Sequence, residues 1–162
     1  MSNENNDFDI QDDVLRKFRG SETSVVIPEG VTEIGEKAFE GCTSLESVYI
    51  SEGIKSICVD AFAGCTSLTE IHFGGSREQW EAVKKVQNWN KGVPAKNVII
   101  MREYIDKMID TLPPGEAMVL RLRYGLDGGA CRSLREIADV LGVSKERVRH
   151  IENTALQKIK KL

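Results

Sequence analysis

Residues 133–162 read SLREIADVLGVSKERVRHIENTALQKIKKL, and the fold of the C-terminal part of the chain follows from them. Ser133 can accept from a free backbone N–H at a helix start, while Glu136, three residues on, reaches back, the reciprocal pattern of a capping box. Leu134, Ile137, Ala138 and Leu141 then recur at i, i+3, i+4 and i+7, one apolar stripe. Gly142 stands where that helix stops and the chain needs a positive φ, and Ser144 is placed to cap a second helix. The turn between them is three or four residues long, so the pair reads as a helix-turn-helix.

In the second helix Val148, Ile151, Ala155, Ile159 and Leu162 line one side at helical spacing. The opposite side then holds Glu146, Arg149, His150 and Asn153, with Lys145 and Arg147 on the flanks. A recognition helix offers residues of its first turns to base edges in the major groove, where Arg suits guanine, Asn suits adenine and Glu accepts from cytosine. Lys145 and Arg147 suit phosphates, and Ser133 and Arg135, at the start of the first helix, complete the candidate DNA-binding set. From Ser144 to Leu162 there are six Lys or Arg against two Glu, a local net of +4 that attracts DNA whatever its sequence.

Upstream, Tyr104, Ile105, Met108, Ile109 and Leu112 form a stripe that ends at Pro113-Pro114, and a helix over Gly115 to Tyr124 restarts after the prolines and stops at Gly125. Four helices result. The segments Leu112-Pro113-Pro114, Leu120 to Leu126 (LRLRYGL) and Glu146 to Glu152 (ERVRHIE) fall in an order and spacing that resemble region 4 of sigma-70-type RNA polymerase sigma factors over about Tyr104 to Leu162. That resemblance implies a domain that reads the promoter −35 element, with the positions of Lys145, Glu146, Arg149 and His150 on its bases or adjacent phosphates. Lys145 stands where the family commonly has Arg and His150 where Gln is common, which implies an altered base preference. The family's upstream face also docks on the flap of the polymerase β subunit, which implies an interface role for residues around Ile105, Met108 and Leu120, beside their ordinary role as core.

The first hundred residues follow a different rule. A shift of 23 superimposes Gly30 on Gly53, Ile34 on Ile57, Ala38-Phe39 on Ala61-Phe62, and Gly41-Cys42-Thr43-Ser44-Leu45 on Gly64-Cys65-Thr66-Ser67-Leu68. A fixed period of this length means a solenoid. Leu45, Val48, Ile50 and Leu68, Ile71, Phe73 place a short strand at the end of each coil, with Val25 and Ile27 supplying the one before. The pattern resembles BspA-like leucine-rich repeats, many of which occur in bacterial surface proteins, and this implies a protein-interaction module.

Two full copies cannot bury their own ends, so the ends need caps. Phe8-Asp9-Ile10 and Val14 to Phe18 flank Gln11-Asp12-Asp13 and read as a hairpin over the first coil. Ser76 with Gln79 makes a second capping box, opening a helix that presents Trp80 and Val83 to the last coil, and Val98-Ile99-Ile100 gives a final strand.

The expected organisation is therefore α+β in two domains: a disordered tail over 1–7, a capped leucine-rich-repeat solenoid over 8–101, and an all-α helix-turn-helix domain over 102–162. Almost no flexible spacer separates them, so the first helix of the second domain is expected directly after the last strand of the first. Charge divides the halves too. Up to Met101 there are 10 Lys or Arg against 16 Asp or Glu, and beyond it 12 against 9, giving −6 and +3. The acidic solenoid should avoid DNA and the basic domain should seek it.

The opening MSNENNDFDIQDD is polar and acidic where a secretory signal would be cationic and then apolar, and no transmembrane run appears, so a cytoplasmic location is expected, with no membrane partner. Cys42, Cys58, Cys65 and Cys131 show no CxxC pattern, which makes zinc an unsuitable guest, and no cofactor is expected. Cys42 and Cys65 share one repeat position and should stack as thiols about one strand spacing apart, close to ~4.8 Å; in a reducing cytoplasm they stay thiols rather than a disulfide. The two histidines, His72 on a repeat strand facing solvent and His150 on the recognition face, assemble no catalytic constellation, so no enzyme is expected.

These features predict a DNA-binding transcription regulator whose partners are double-stranded DNA bearing a −35-like element, the polymerase flap, and a protein held by the repeats. Nothing resembles the sigma segments that melt the −10 element, so promoter opening would fall to another protein. The alternative is a protein adaptor that binds polymerase or another partner without reading DNA.

Overall fold

The computed structural model describes residues 7–162. The tail expected over 1–7 lies outside the described residues except for Asp7, whose carbonyl accepts the Arg19 N–H at 2.7 Å. The chain divides into two compact units, residues 1–102 and 103–162.

The first unit is a solenoid of two parallel sheets. One runs β1 (Phe8–Gln11), β2 (Val14–Phe18), β4 (Glu33–Ile34), β6 (Ser56–Ile57) and β8 (Lys84–Lys85) in that order. The other runs β3 (Ser24–Val26), β5 (Ser47–Ile50), β7 (Glu70–Phe73) and β9 (Val98–Ile100). All pairs are parallel except β1 with β2, the expected hairpin cap. Its turn residues Asp12 and Asp13 both have positive φ, 51° and 61°, the geometry that matches strand twist in a two-residue hairpin.

The repeat period sets the register: Val25 pairs with Val48 and Val48 with Ile71, while Ile34 pairs with Ile57. Like residues therefore stack on like. Phe18, Phe39 and Phe62 form a column with ring centroids 5.3 and 4.8 Å apart, Phe8 closing one end at 5.1 Å and Trp89 the other at 6.2 Å. Such pairs contribute roughly 0.5–1.5 kcal/mol each beyond the area they bury.

The structure extends the repeat further than the period of 23 reveals. The Ala61 carbonyl accepts from Phe39, and the Trp89 carbonyl accepts from Phe62 in the same way, so Trp89 holds the place of Ala61 one coil on. Lys37, Asp60 and Asn88 share a positive φ of 56°, 53° and 65°, as do Gly41, Gly64 and Gly92 at 72°, 75° and 77°. A third coil thus exists, with its period lengthened by the helix α1 (Arg77–Ala82). The predicted capping box is present: Ser76 Oγ accepts from Gln79 at 3.3 Å and Gln79 Oε1 accepts from Ser76 at 2.7 Å. Trp80 and Val83 are both buried, as expected, though Val83 is the cap residue rather than part of the helix.

His72 departs from expectation. It lies on the outer face of β7 but is only 9% exposed, because Tyr49 stacks on it at 4.3 Å and Ile99 flanks it in register, while Glu70 bonds Nε2 at 3.0 Å. All four cysteines are free, and the Cys65 thiol donates to the Phe39 carbonyl at 3.0 Å. The neighbouring Cys42 thiol is drawn below its ordinary value, first by its interaction with Cys65 and against the opposing effect of burial.

The second unit is helical: α2 (Met101–Asp110), which begins at the residue after β9, then α3 (Pro114–Arg123), α4 (Leu134–Leu141) and α5 (Lys145–Ile159). Pro114 occupies the first turn of α3, where its missing N–H leaves no bond broken. Two small cores hold the helices. Val119, Leu122, Ile137, Ala138 and Val148 form one, and Ile109, Leu112, Leu120 and Ala155 the other. Two stripe assignments are corrected: Tyr104 is 52% exposed, because the packed face of α2 runs through Ile105 and Ile109 and Tyr104 falls beside it, and Leu162 is 73% exposed, because α5 ends at Ile159. Among the described residues no helix is long and apolar enough to cross a membrane.

Candidate nucleic-acid interface

The helix-turn-helix is assembled by its caps. Ser133 Oγ accepts the Glu136 N–H at 3.2 Å and Glu136 Oε2 accepts the Ser133 N–H at 2.8 Å. That backbone N–H, first among its partners, holds the Glu136 carboxyl below its ordinary range. Gly142 ends α4 at φ 65° and ψ 33°, left-handed geometry that disfavours a side chain by roughly 1–2 kcal/mol. Val143 then donates to the Ala138 carbonyl at 3.1 Å, and Ser144 Oγ receives the Arg147 N–H at 3.1 Å to start α5. The turn comprises Gly142, Val143 and Ser144, within the expected length.

The packed side of α5 carries Val148 and Ala155, both fully buried, with Ile151 and Ile159 against the cores. Its open side carries Lys145, Glu146, Arg147, Arg149, His150 and Asn153, every one exposed. Arg135 is exposed on the first turn of α4. Ser133 is exposed as well, but its oxygen is committed to the cap, which leaves its hydroxyl hydrogen to donate outward. A groove of about 400 Å³ lined by His150, Asn153, Thr154, Gln157, Lys158 and Lys161 continues the open face along α5.

The cations of this unit fall into two sets. Arg121 holds Asp106 at 2.6 Å and Asp110 at 2.8 Å, Arg123 holds Glu152 at 3.2 Å, Arg132 holds Asp127 at 3.0 Å and Lys158 holds Glu116 at 2.7 Å. By contrast Arg135, Lys145, Arg147 and Arg149 have no carboxylate within ion-pair distance among the described residues. Engaging a phosphate with these four breaks no internal pair, so none of their Coulomb attraction is offset by a lost partner.

Sequence reading missed the clamp that orients α5. Glu152, largely buried, accepts from Arg123 Nε at 3.2 Å and from the Tyr124 hydroxyl at 3.3 Å, while Arg123 also donates to the Arg132 carbonyl at 2.9 Å. The partners lie 28 and 29 residues apart, beyond any local spacing rule. Burial, then the Glu152 charge, pushes the Tyr124 hydroxyl up and keeps it a donor. Leu120, named for a docking face, is 1% exposed and belongs to the core, and Ile105 packs against the same cluster.

Comparison with known proteins finds one family in each of the two units. Residues 9–83 match the BspA type leucine rich repeat region, in six copies, and residues 108–161 match Sigma-70, region 4. Over 61 residues, 38% of this chain, the sequence is 48% identical to RNA polymerase sigma factor SigA of Nostoc sp. and covers 16% of that protein. It is 44% identical over 61 residues to RNA polymerase sigma factor sigF, chloroplastic, of Arabidopsis thaliana, covering 11% of it. The chain thus spans less than a fifth of the length of these curated relatives. A leucine rich cell surface protein of Faecalibacterium prausnitzii is similar at 44% identity and a TM-score of 0.37, over 38% of this chain and 16% of that one. The leucine rich repeat protein of T. pallidum is similar at 24% identity and a TM-score of 0.42, over 57% and 46%. The chain therefore matches a BspA type leucine rich repeat region over its first unit and Sigma-70, region 4, over the helix-turn-helix unit that follows.

Proposed function

We propose that this protein is a DNA-binding transcription regulator in which α5 reads a −35-like promoter element from the major groove. Arg149, Glu146, His150 and Asn153 address bases, and Lys145, Arg147, Arg135 and Ser133 hold phosphates. The observation that carries this reading is the exposed side of α5, where base-reading side chains sit beside cations that have no internal partner. A single module of this size buries roughly 600–1,000 Å² of protein on DNA, so stable occupancy requires a second contact, which the polymerase flap supplies. The repeat unit, acidic and unsuited to DNA, serves as the protein-interaction module, and the whole works in the cytoplasm without a catalytic step.

The test is titration of the full chain against promoter-length duplexes with and without a −35-like element, at two salt concentrations, beside an Arg149→Ala/His150→Ala variant. Element-dependent binding that the double variant loses is the expected result. Absence of binding even at low salt would remove DNA reading and leave a polymerase adaptor.

A further inference from the structure

The solenoid has a cavity of its own, made from none of the residues that face DNA. It has a volume of about 460 Å³ and lies at the C-terminal cap, between α1, β7, β8 and the chain leading into β9. That volume falls within the roughly 300–1,000 Å³ typical of small-molecule sites. Trp80 and Trp89 supply its aromatic wall, their rings 6.0 Å apart and inclined at 69°.

Its charge runs against its surroundings. Up to Met101 the chain has 10 Lys or Arg against 16 Asp or Glu, yet the cavity is lined by Arg77, Lys85 and Lys96 against Glu81 alone. Lys85 is the fixed point. Its ammonium donates to the Trp80 carbonyl at 2.6 Å and the Val83 carbonyl at 2.9 Å and stands 4.4 Å from the centre of the Trp80 ring. An ammonium has three N–H bonds, so one is left over. No carboxylate lies within ion-pair distance of it among the described residues, and burial pushes its pKa down against the opposing pull of Glu81. A half-buried cation held by neutral oxygens, beside two indoles and an open volume, lacks an anion.

We propose that this cavity binds an apolar carboxylate, either a small aromatic acid or the C-terminus of a chain, with the carboxylate on Lys85 and the apolar body against Trp80 and Trp89. A monoanion suits the site better than a phosphate dianion, because Glu81 shares the lining and repels the second charge. The site is independent of the reading of α5, and neither proposal falls with the other.

The chain has two tryptophans and both line the cavity, so intrinsic fluorescence reports on occupancy without a label. The full chain is titrated with 3-phenylpropionate, its amide and phenyl phosphate, and with N-acetyl-Ala-Ala-Phe as free acid and as amide. In at least one pair the acid should bind about tenfold or more tighter than the amide, a difference of roughly 1.4 kcal/mol. The pair that discriminates identifies the source, free acid or chain terminus. Lys85→Met, which keeps the apolar stem, should erase that preference while the circular dichroism spectrum stays unchanged. Glu81→Gln, an exposed change, should tighten the acids by about two- to threefold and leave the amides alone, as loss of one repulsive charge in a wet site predicts. Equal affinity of acid and amide, tighter binding of phenyl phosphate, or a preference surviving in Lys85→Met each overturns the proposal. If Lys85→Met fails to fold, Glu81→Gln decides, and acid affinity that does not move overturns it.

Discussion

The two units keep order by opposite means. In the solenoid each coil repeats the last, so Phe18, Phe39 and Phe62 stack on one another and every coil depends on its neighbours. In the helical unit nothing repeats. Two small cores are positioned by two serine caps, the left-handed Gly142 that ends α4 and a largely buried glutamate that ties α3 to α5. The contrast extends to charge, because the helical unit spends some of its cations on internal pairs and leaves others open, and the open ones gather around the helix-turn-helix. Order built by repetition yields a scaffold; order built by discrete contacts leaves one helix face uncommitted.

The sharpest break of that comparison is Phe62→Ala. Phe62 is fully buried and touches Phe39 at 4.8 Å and Trp89 at 6.2 Å, so the change removes both couplings and should cost about 3–5 kcal/mol. In a two-unit melt by calorimetry the solenoid transition should fall while the helical transition stays in place. A uniform fall of both would mean that the units do not melt separately. Next in size, Arg149→Ala should weaken duplex binding by about 1–3 kcal/mol and flatten the preference among bases at one position. Equal, small losses on every sequence, measured by competition with base-substituted duplexes, would assign Arg149 to phosphate instead.

Smaller still is the cap. Ser133→Ala should destabilise the helical unit by about 0.5–2 kcal/mol in denaturant unfolding, with the solenoid unmoved. The box also has a pH signature. Glu136 is held below its ordinary value of 4.5, so its contribution is present above that value and is lost as pH falls through the depressed folded pKa. Glu136→Gln, which keeps an acceptor for the Ser133 N–H but cannot titrate, should therefore shrink the stability difference between pH 6 and pH 3, and an unchanged difference would remove the Glu136 charge from the box.

What was legible in the sequence follows the same division. The caps, the turn and the exposed face of α5 were readable because each rests on residues within four positions of one another, Ser133 with Glu136 or Arg149 with Asn153. The two matching coils were readable because Gly-Cys-Thr-Ser-Leu recurs unchanged. The third coil was hidden, because α1 lengthens its period and only Asn88 and Gly92 keep the left-handed positions of Asp60 and Gly64. Burial of His72 was hidden as well, since it depends on the Tyr49 ring one coil away rather than on the alternation within β7. The Glu152 clamp joins helices 28 and 29 residues apart, a pairing that no periodicity encodes.

The finest test separates the two classes of cation by swapping one of each. Lys145 has no internal partner, so Lys145→Ala should leave the unfolding midpoint within about 0.5 kcal/mol, as an exposed change does. It should lower the slope of log K against log salt by about one unit, the loss of one phosphate contact. Lys158 holds Glu116 at 2.7 Å, and Glu116 is only 17% exposed with its second oxygen buried and unpartnered. Removing that ammonium strands a partly buried carboxylate, so Lys158→Ala should cost about 1 kcal/mol of stability while the salt slope stays near its original value. The pair of variants thus exchanges readouts, one moving only binding and the other only folding. A salt slope that falls equally in both would mean that Lys158 releases Glu116 and joins the phosphate contacts, and the groove from His150 to Lys161 would then belong to the DNA face.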